Sequence, residues 1–179
     1  RDTMGLLDGR VILITGAGNG IGRCHALSAA AEGANIVVND LGGSRHGEGN
    51  DDAAAAKVVA EIKAAGGNAI ANFDSVTDAE GTDRMVAQAM EKWGRLDAIV
   101  NNAGILRDVT FKKMEDAQWN LVLDVHLNGT KNVCKSALPA LTETAATHGH
   151  AAIINTTSYS GMIGNFGQSN YAAAKAGIY

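Results

Sequence analysis

The sequence is poor in the features that mark several functional classes. It has two cysteines, Cys24 and Cys134, far apart and without a C-x-x-C pair. They suit reduced, buried thiols rather than a redox motif. His25, His46, His126, His148 and His150 show no zinc-ligand spacing, so no metal is expected. No apolar run approaches the length of a bilayer span, and the N-terminus RDTMGLLDGR lacks the apolar segment of a secretory signal. A cytoplasmic protein without a membrane partner is expected. Positive charge is not in excess: the net charge is −4 and the pI near 5.7. That balance argues against a nucleic-acid footprint. Repeats, linkers and low-complexity tracts are missing as well.

What is present is 179 residues, 46% of them hydrophobic, enough for one domain with a real core. RVILIT at 10–15 is a β-branched run without alternation, as expected of a strand buried on both faces. Further strands are expected at 35–39, 68–73, 96–101 and 151–156. Helices are expected from the Gly-rich turn to about Glu32, from Asp51 to Ala65, from Asp78 to Trp93 with Gly94 as C-cap, and over a long segment from Met114 to Leu141. Pro139 predicts a kink or stop there, and 142–149 reads as a surface loop. A last helix begins near Ser169. Strands alternating with helices give an α/β fold, a doubly wound parallel sheet in three layers. Met4 reads as a native start after a short scar. The break at Tyr179, inside the last helix, reads as a domain whose C-terminal part is missing.

Two constellations carry chemistry. TGAGNGIG at 15–22 follows a strand and opens a helix, the context of a dinucleotide-binding turn. Gly16, Gly20 and Gly22 permit a tight turn, close approach to a pyrophosphate and close helix packing, and Asn19 and Ile21 complete the candidate contacts. The helix start offers free N–H groups to the phosphates. Asp40 ends the second strand, where a carboxylate accepts from an adenosine ribose and repels a 2′-phosphate, so NAD is favoured over NADP. Arg23 and Arg45 could still accommodate a phosphate. Asp74, Ser75 and Val76 flank the adenine if the strand order is 3-2-1-4-5. Asn101 and Asn102 are costly at a buried strand end unless their amides find partners, so they are expected to tie neighbouring strands. Ala103 and Gly104 let the backbone approach the cofactor.

The second constellation lies in SYSGMIGNFGQSNYAAAK, 158–175. Tyr171 and Lys175 are four apart in an Ala-rich run and share a helix face. A fixed ammonium beside a phenol favours the phenolate, so the pair can exchange protons with an alcohol or carbonyl. Ser158, across a Gly-rich loop, could hydrogen-bond the same oxygen. Tyr-x-x-x-Lys alone is also found incidentally in many helices.

TGAGNGIG, Asp40, NNAG, Ser158 and YAAAK, in this order and with this Ser–Tyr spacing, resemble a short-chain dehydrogenase/reductase of the Rossmann type. VVNDLGG (37–43), ANFDSV (71–76) and GNFGQSNYAAAK (164–175) are similar to the (3R)-hydroxyacyl-CoA dehydrogenase domain of peroxisomal multifunctional β-oxidation enzymes and bacterial relatives. The resemblance implies Tyr171 as acid/base, Lys175 on the nicotinamide ribose, Ser158 orienting the substrate oxygen, and Gly16, Gly20, Gly22, Asp40, Ser75, Val76 and Asn102 holding NAD. Where the wider family's pattern has Asn in the long helix, this sequence has His126, with Asn128 two residues later; the narrower group also carries His. The implied reaction is NAD-dependent interconversion of a secondary alcohol and a ketone, on a small-molecule or acyl-CoA substrate, by a homodimer or homotetramer. The apolar residues Leu121, Val122, Val125 and Val133 suit such an interface or ordinary core. Two other readings stand beside it: a 3-oxoacyl carrier-protein reductase or steroid dehydrogenase of the same family, and a non-catalytic nucleotide-binding module.

Overall fold

Every residue of Val11–Thr15 is buried, and this apolar segment forms β1 at the middle of a parallel sheet. The computed structural model describes residues 5–44, 46–49 and 52–179. The expected start at Met4, the possible phosphate partner Arg45 and the expected helix start at Asp51 lie outside the described residues. The sheet has five strands in the order β3-β2-β1-β4-β5. They are β1, β2 (Asn35–Asn39), β3 (Asn68–Asn72), β4 (Ala98–Asn101) and β5 (Ala152–Asn155). Register places Leu13 opposite Val37 and Asn101 opposite Asn155.

Alternate residues of β1 enter two different cores, because successive side chains point to opposite faces. Ile12 and Ile14 pack with Val58 and Ile62 of α2 (Ala53–Ala64) and Ala26 of α1 (Gly20–Ala31). Val11 and Leu13 pack with Met85 of α3 (Ala79–Trp93) and Val133 and Leu141 of α5 (Gly129–His148). Each fully buried side chain of this size contributes about 1.5–3 kcal/mol. The result is the expected three-layer, Rossmann-like α/β arrangement. Gly94 ends α3 at φ 71°, as its position after Trp93 required. β5 lies at the sheet edge with its four residues exposed.

The long helical segment departs from expectation. After a short 3₁₀ turn (Phe111–Lys113), α4 (Asp116–Leu123) passes through a π-turn (Asp124–Asn128) into α5, which continues past Pro139 to His148. Neither the stop at Pro139 nor the loop at 142–149 forms. Ala140, Leu141 and Thr144 are buried beyond the proline, and their packing outweighs one missing backbone hydrogen bond. Of the apolar residues considered for an interface, Val122 and Val133 belong to the core, and Leu121 and Val125 are half-buried beside the site. Cys24 is exposed on α1 rather than buried, and Cys134 is half-buried.

Candidate active site

The C-terminal ends of the strands open into a cleft of about 820 Å³. Gly16, Asn19, Gly20, Ile21, Asp40, Asp74, Ser75, Val76, Asn102, Ala103 and Gly104 line it. Gly22 does not: it packs beneath the turn, where an added Cβ would stand 2.2 Å from the Gly16 carbonyl oxygen. Gly16 and Gly20 have φ of 63° and 53°, a region that glycine adopts without strain. Asn19 precedes α1 without its side chain capping the helix. The first N–H groups of α1 are therefore left for another partner. Asp40 is held by two backbone donors, Gly18 N–H at 2.8 Å and Gly42 N–H at 2.7 Å. A Cβ on Gly18 would lie 2.8 Å from both the Asp40 carboxylate and Ala54 Cβ, so any larger residue there displaces the carboxylate.

The asparagine amides tie the strand ends together, although Asn101 Oδ1 is buried without a partner among the described residues. Asn101 donates to Asn155 Oδ1 at 2.8 Å and joins β4 to β5. Asn102 donates to the carbonyls of Thr15 and Gly16, both at 3.1 Å, and joins β4 to the Gly-rich turn. Asn39, Asn72 and Asp74 form a third such link across β2 and β3, with Arg84 donating to Asp74 from α3.

The three proton-handling candidates come from the segment after β5. Ser158 is the N-cap of a short helix, α6 (Tyr159–Ile163), where a loop was expected, and its Oγ accepts from Ser160 N–H at 3.2 Å. Tyr171 and Lys175 lie on α7 (Ser169–Ile178). Lys175 is 3% exposed, and its Nζ donates to the Thr156 carbonyl at 2.5 Å. Thr157 Oγ1 donates to the Lys175 carbonyl at 2.8 Å, so this turn of α7 is tied twice to the segment leaving β5. The ammonium stands 5.7 Å from the centre of the Tyr171 ring. Burial pulls the Lys175 pKa down to about 8. Tyr171 itself packs on Ile105 and Val122, and Ile105 also lines the cleft.

Neither Tyr171 nor Ser158 nor Lys175 is among the residues that line the cleft, and His126, which meets Tyr171 from the π-turn, is not either. Its ring meets that of Tyr171 edge-on, with centroids 5.2 Å apart and planes at 90°. Nε2 lies 3.0 Å from Ile105 N–H and 2.8 Å from the Ile105 carbonyl. Burial first, and then the Lys175 charge, outweigh the hydrogen bond to Ile105 and lower the His126 pKa to about 4. Asn128, two residues on, is exposed and donates to Asp124 at 2.7 Å. Histidine, not that asparagine, therefore sits beside the Tyr–Lys pair.

Residues 10–179 match the short chain dehydrogenase family. The chain belongs to that family. It is 48% identical over 171 residues to the "Peroxisomal multifunctional enzyme type 2" of Mus musculus, covering 96% of this chain and 22% of that protein. Against a "3-oxoacyl-[acyl-carrier-protein] reductase" of Synechocystis it is 42% identical over 179 residues, covering 98% of this chain and 66% of that protein. The crystal structure of a short chain dehydrogenase from Mycobacterium avium superposes with a TM-score of 0.86 at 44% identity, over 97% of this chain and 61% of that one. The chain thus spans about a fifth of the mouse relative, and less than two thirds of the solved structure.

One part of the cleft escaped sequence reasoning. Gly43, Ser44, Gly47 and Gly49 from the β2–α2 loop line it opposite Ile105, Leu121 and Val125. Glu48 pairs with Arg107 at 3.0 Å and His46 Nδ1 lies 3.2 Å from the Leu106 carbonyl, so the loop bridges to the segment after β4. Its four glycines were a visible signal of backbone brought close to something. Among the described residues no three His, Cys, Asp or Glu side chains gather as a metal site, and no helix is long and apolar enough to cross a membrane.

Proposed function

We propose that the chain is the catalytic domain of an NAD-dependent dehydrogenase that interconverts a secondary alcohol and a ketone, acting on a 3-hydroxyacyl thioester of coenzyme A. What supports the reading is a glycine-lined cleft at the C-terminal strand ends and, next to β5 at that same end though outside the cleft lining, a buried lysine 5.7 Å from the centre of a tyrosine ring. The cradle fits a dinucleotide. Gly16 and Gly20 line it with bare backbone, α1 begins without a side-chain cap, and Asp40 is fixed by two N–H donors at the strand end. A ribose diol can donate to that carboxylate, while a 2′-phosphate would be repelled. When bound, the nicotinamide supplies the two-electron chemistry. Tyr171 Oη takes the hydroxyl proton of the alcohol, or returns it to the ketone oxygen. Ser158 Oγ, already held near the α6 N-terminus, hydrogen-bonds the same oxygen. Lys175 commits one ammonium hydrogen to Thr156 and keeps two for the cofactor ribose and the field at the phenol. A positioned acid/base of this kind contributes about 10²–10⁴-fold.

The acyl-CoA assignment rests on similarity to peroxisomal multifunctional enzymes at 47–48% identity, against 40–42% for the carrier-protein reductases. In the full-length protein, Tyr171→Phe is expected to abolish turnover of 3-hydroxyacyl-CoA while NAD binding, followed by fluorescence titration, stays near wild type. Wild-type turnover in that variant would refute the assignment. A preference for NADPH and carrier-protein thioesters would move the protein to the reductase reading.

A further inference from the structure

His126 is a buried titratable group that the mechanism above leaves without a task. It belongs to the π-turn between α4 and α5, a local widening of the helix often found at functional sites. That turn delivers the ring into a slot built for it. A Cβ on Gly104 would lie 2.3 Å from His126 Cε1, so the slot exists only because residue 104 has no side chain. On one edge the ring meets the Ile105 backbone through Nε2, and on the other it meets the Tyr171 ring. Nδ1 has no partner among the described residues. In either neutral tautomer Nε2 binds this backbone, donating to the Ile105 carbonyl when it carries the hydrogen or accepting from the Ile105 N–H when it does not. The titratable groups facing the ring are Tyr171 and Lys175 of α7; from the segment after β4 it meets the Gly104–Ile105 backbone, and Asp124 of its own turn is engaged by Asn128. A continuous series of contacts results, from the Ile105 backbone through His126, Tyr171 and Lys175 to the Thr156 carbonyl.

We propose that His126 is a positioning residue: a neutral imidazole, clamped to the backbone of Ile105, that fixes the plane of the Tyr171 ring by its edge-on contact and so sets where the phenol oxygen meets the substrate. The inference rests on the reading of Tyr171 as the acid/base. It differs from simple packing in one respect. A filler could be replaced by any side chain of similar size without kinetic cost, whereas a clamp acts through ring shape and anchor together.

Two substitutions in the full-length protein separate those features. His126→Gln places an amide where Nε2 was, able to meet Ile105 N–H and carbonyl, but removes the ring beside Tyr171. His126→Phe keeps a ring and removes the anchor. The His126→Gln variant is expected to lose about tenfold or more in kcat, because small misplacements at a reacting centre are costly. Its NAD dissociation constant should stay within about twofold of wild type, and the apparent pKa governing kcat should shift. His126→Phe should recover part of that kcat. An unchanged kcat and pH profile in the His126→Gln variant overturns the inference, as does a loss traced wholly to NAD affinity. If neither variant folds, imidazole NMR of the wild-type protein decides. A ring that stays neutral in one tautomer over about pH 5.5–9 supports the clamp, and one that titrates near its ordinary value overturns it. Inactive Tyr171→Phe beside fully active His126→Gln defeats this inference alone, whereas active Tyr171→Phe defeats the reading beneath it.

Discussion

Asp40 shows how much one carboxylate is asked to do. Both its oxygens are engaged by backbone N–H groups, from Gly18 and Gly42, so the charge is fixed in place before any ligand arrives. Each oxygen retains acceptor capacity for a ribose hydroxyl. Asp40→Asn keeps one acceptor and removes the charge, and charge-assisted hydrogen bonds of this type contribute about 1.5–3 kcal/mol. On the proposed NAD reading, the variant is expected to bind NADH about 10- to 100-fold more weakly and to bring NADH and NADPH affinities closer together. Parallel fluorescence titrations of the two cofactors check this; an unchanged ratio would mean that the carboxylate only braces the turn. Its position after a β-branched strand made it legible in the sequence. Its two N–H partners were not, because they depend on how the Gly18 and Gly42 backbones turn back toward it.

Among the elements, α5 carries the clearest conflict between local chemistry and packing. Pro139 is exposed in its middle and lacks the N–H that would reach the carbonyl one turn back. Buried Ala137, Ala140, Leu141 and Thr144 on the inner face keep the helix going on either side. Pro139→Ala should therefore stabilise the protein by about 1–3 kcal/mol, read as a rise in the urea midpoint, with turnover unchanged. A fall in stability would show instead that α5 is fitted to a bend. The same tension explains α6. Its five residues, YSGMI, have no strong helical signal, and the turn is fixed by the Ser158 cap and by close packing on α7, where a Cβ on Gly161 would meet the Lys175 backbone at 2.7 Å.

At the scale of the molecule, the fold gives up stability to hold its buried cations and bases. The His126 pKa is about 4 in the folded chain and near 6.5 when unfolded. Between those values the unfolded chain binds a proton that the folded one refuses, so stability is lost as pH falls from about 6.5 to about 4. The loss is on the order of 3 kcal/mol. For Lys175 the folded value of about 8 lies below the ordinary 10.5, so its burial penalty is fully present below about pH 8 and is relieved above it. Asp97 works the other way. Burial alone would raise its pKa, but Arg95, Val11 N–H and Arg10 hold it below the ordinary carboxylate range, and that stability is lost only at more acid pH. Urea unfolding at several pH values should show a steeper acid loss between about pH 6.5 and 4 in the wild type than in His126→Gln. Parallel curves would place the loss elsewhere.

The alternation of strands and helices, the two-sided burial of β1, the glycine turn and the Tyr–Lys spacing were set by the sequence alone, since each follows from a local period or a run of a few residues. Sequence could also say that Asn101 and Asn102 needed partners. Only the tertiary structure decided which ones they found, that helix α5 would run through its proline, that a glycine loop would reach across the cleft to Arg107, and that an imidazole 45 residues before Tyr171 in the chain would lie against its ring. These are contacts between segments distant in sequence. Their energies come from burial and from pairing polar groups that have left water, and no window along the chain contains both halves of such a pair.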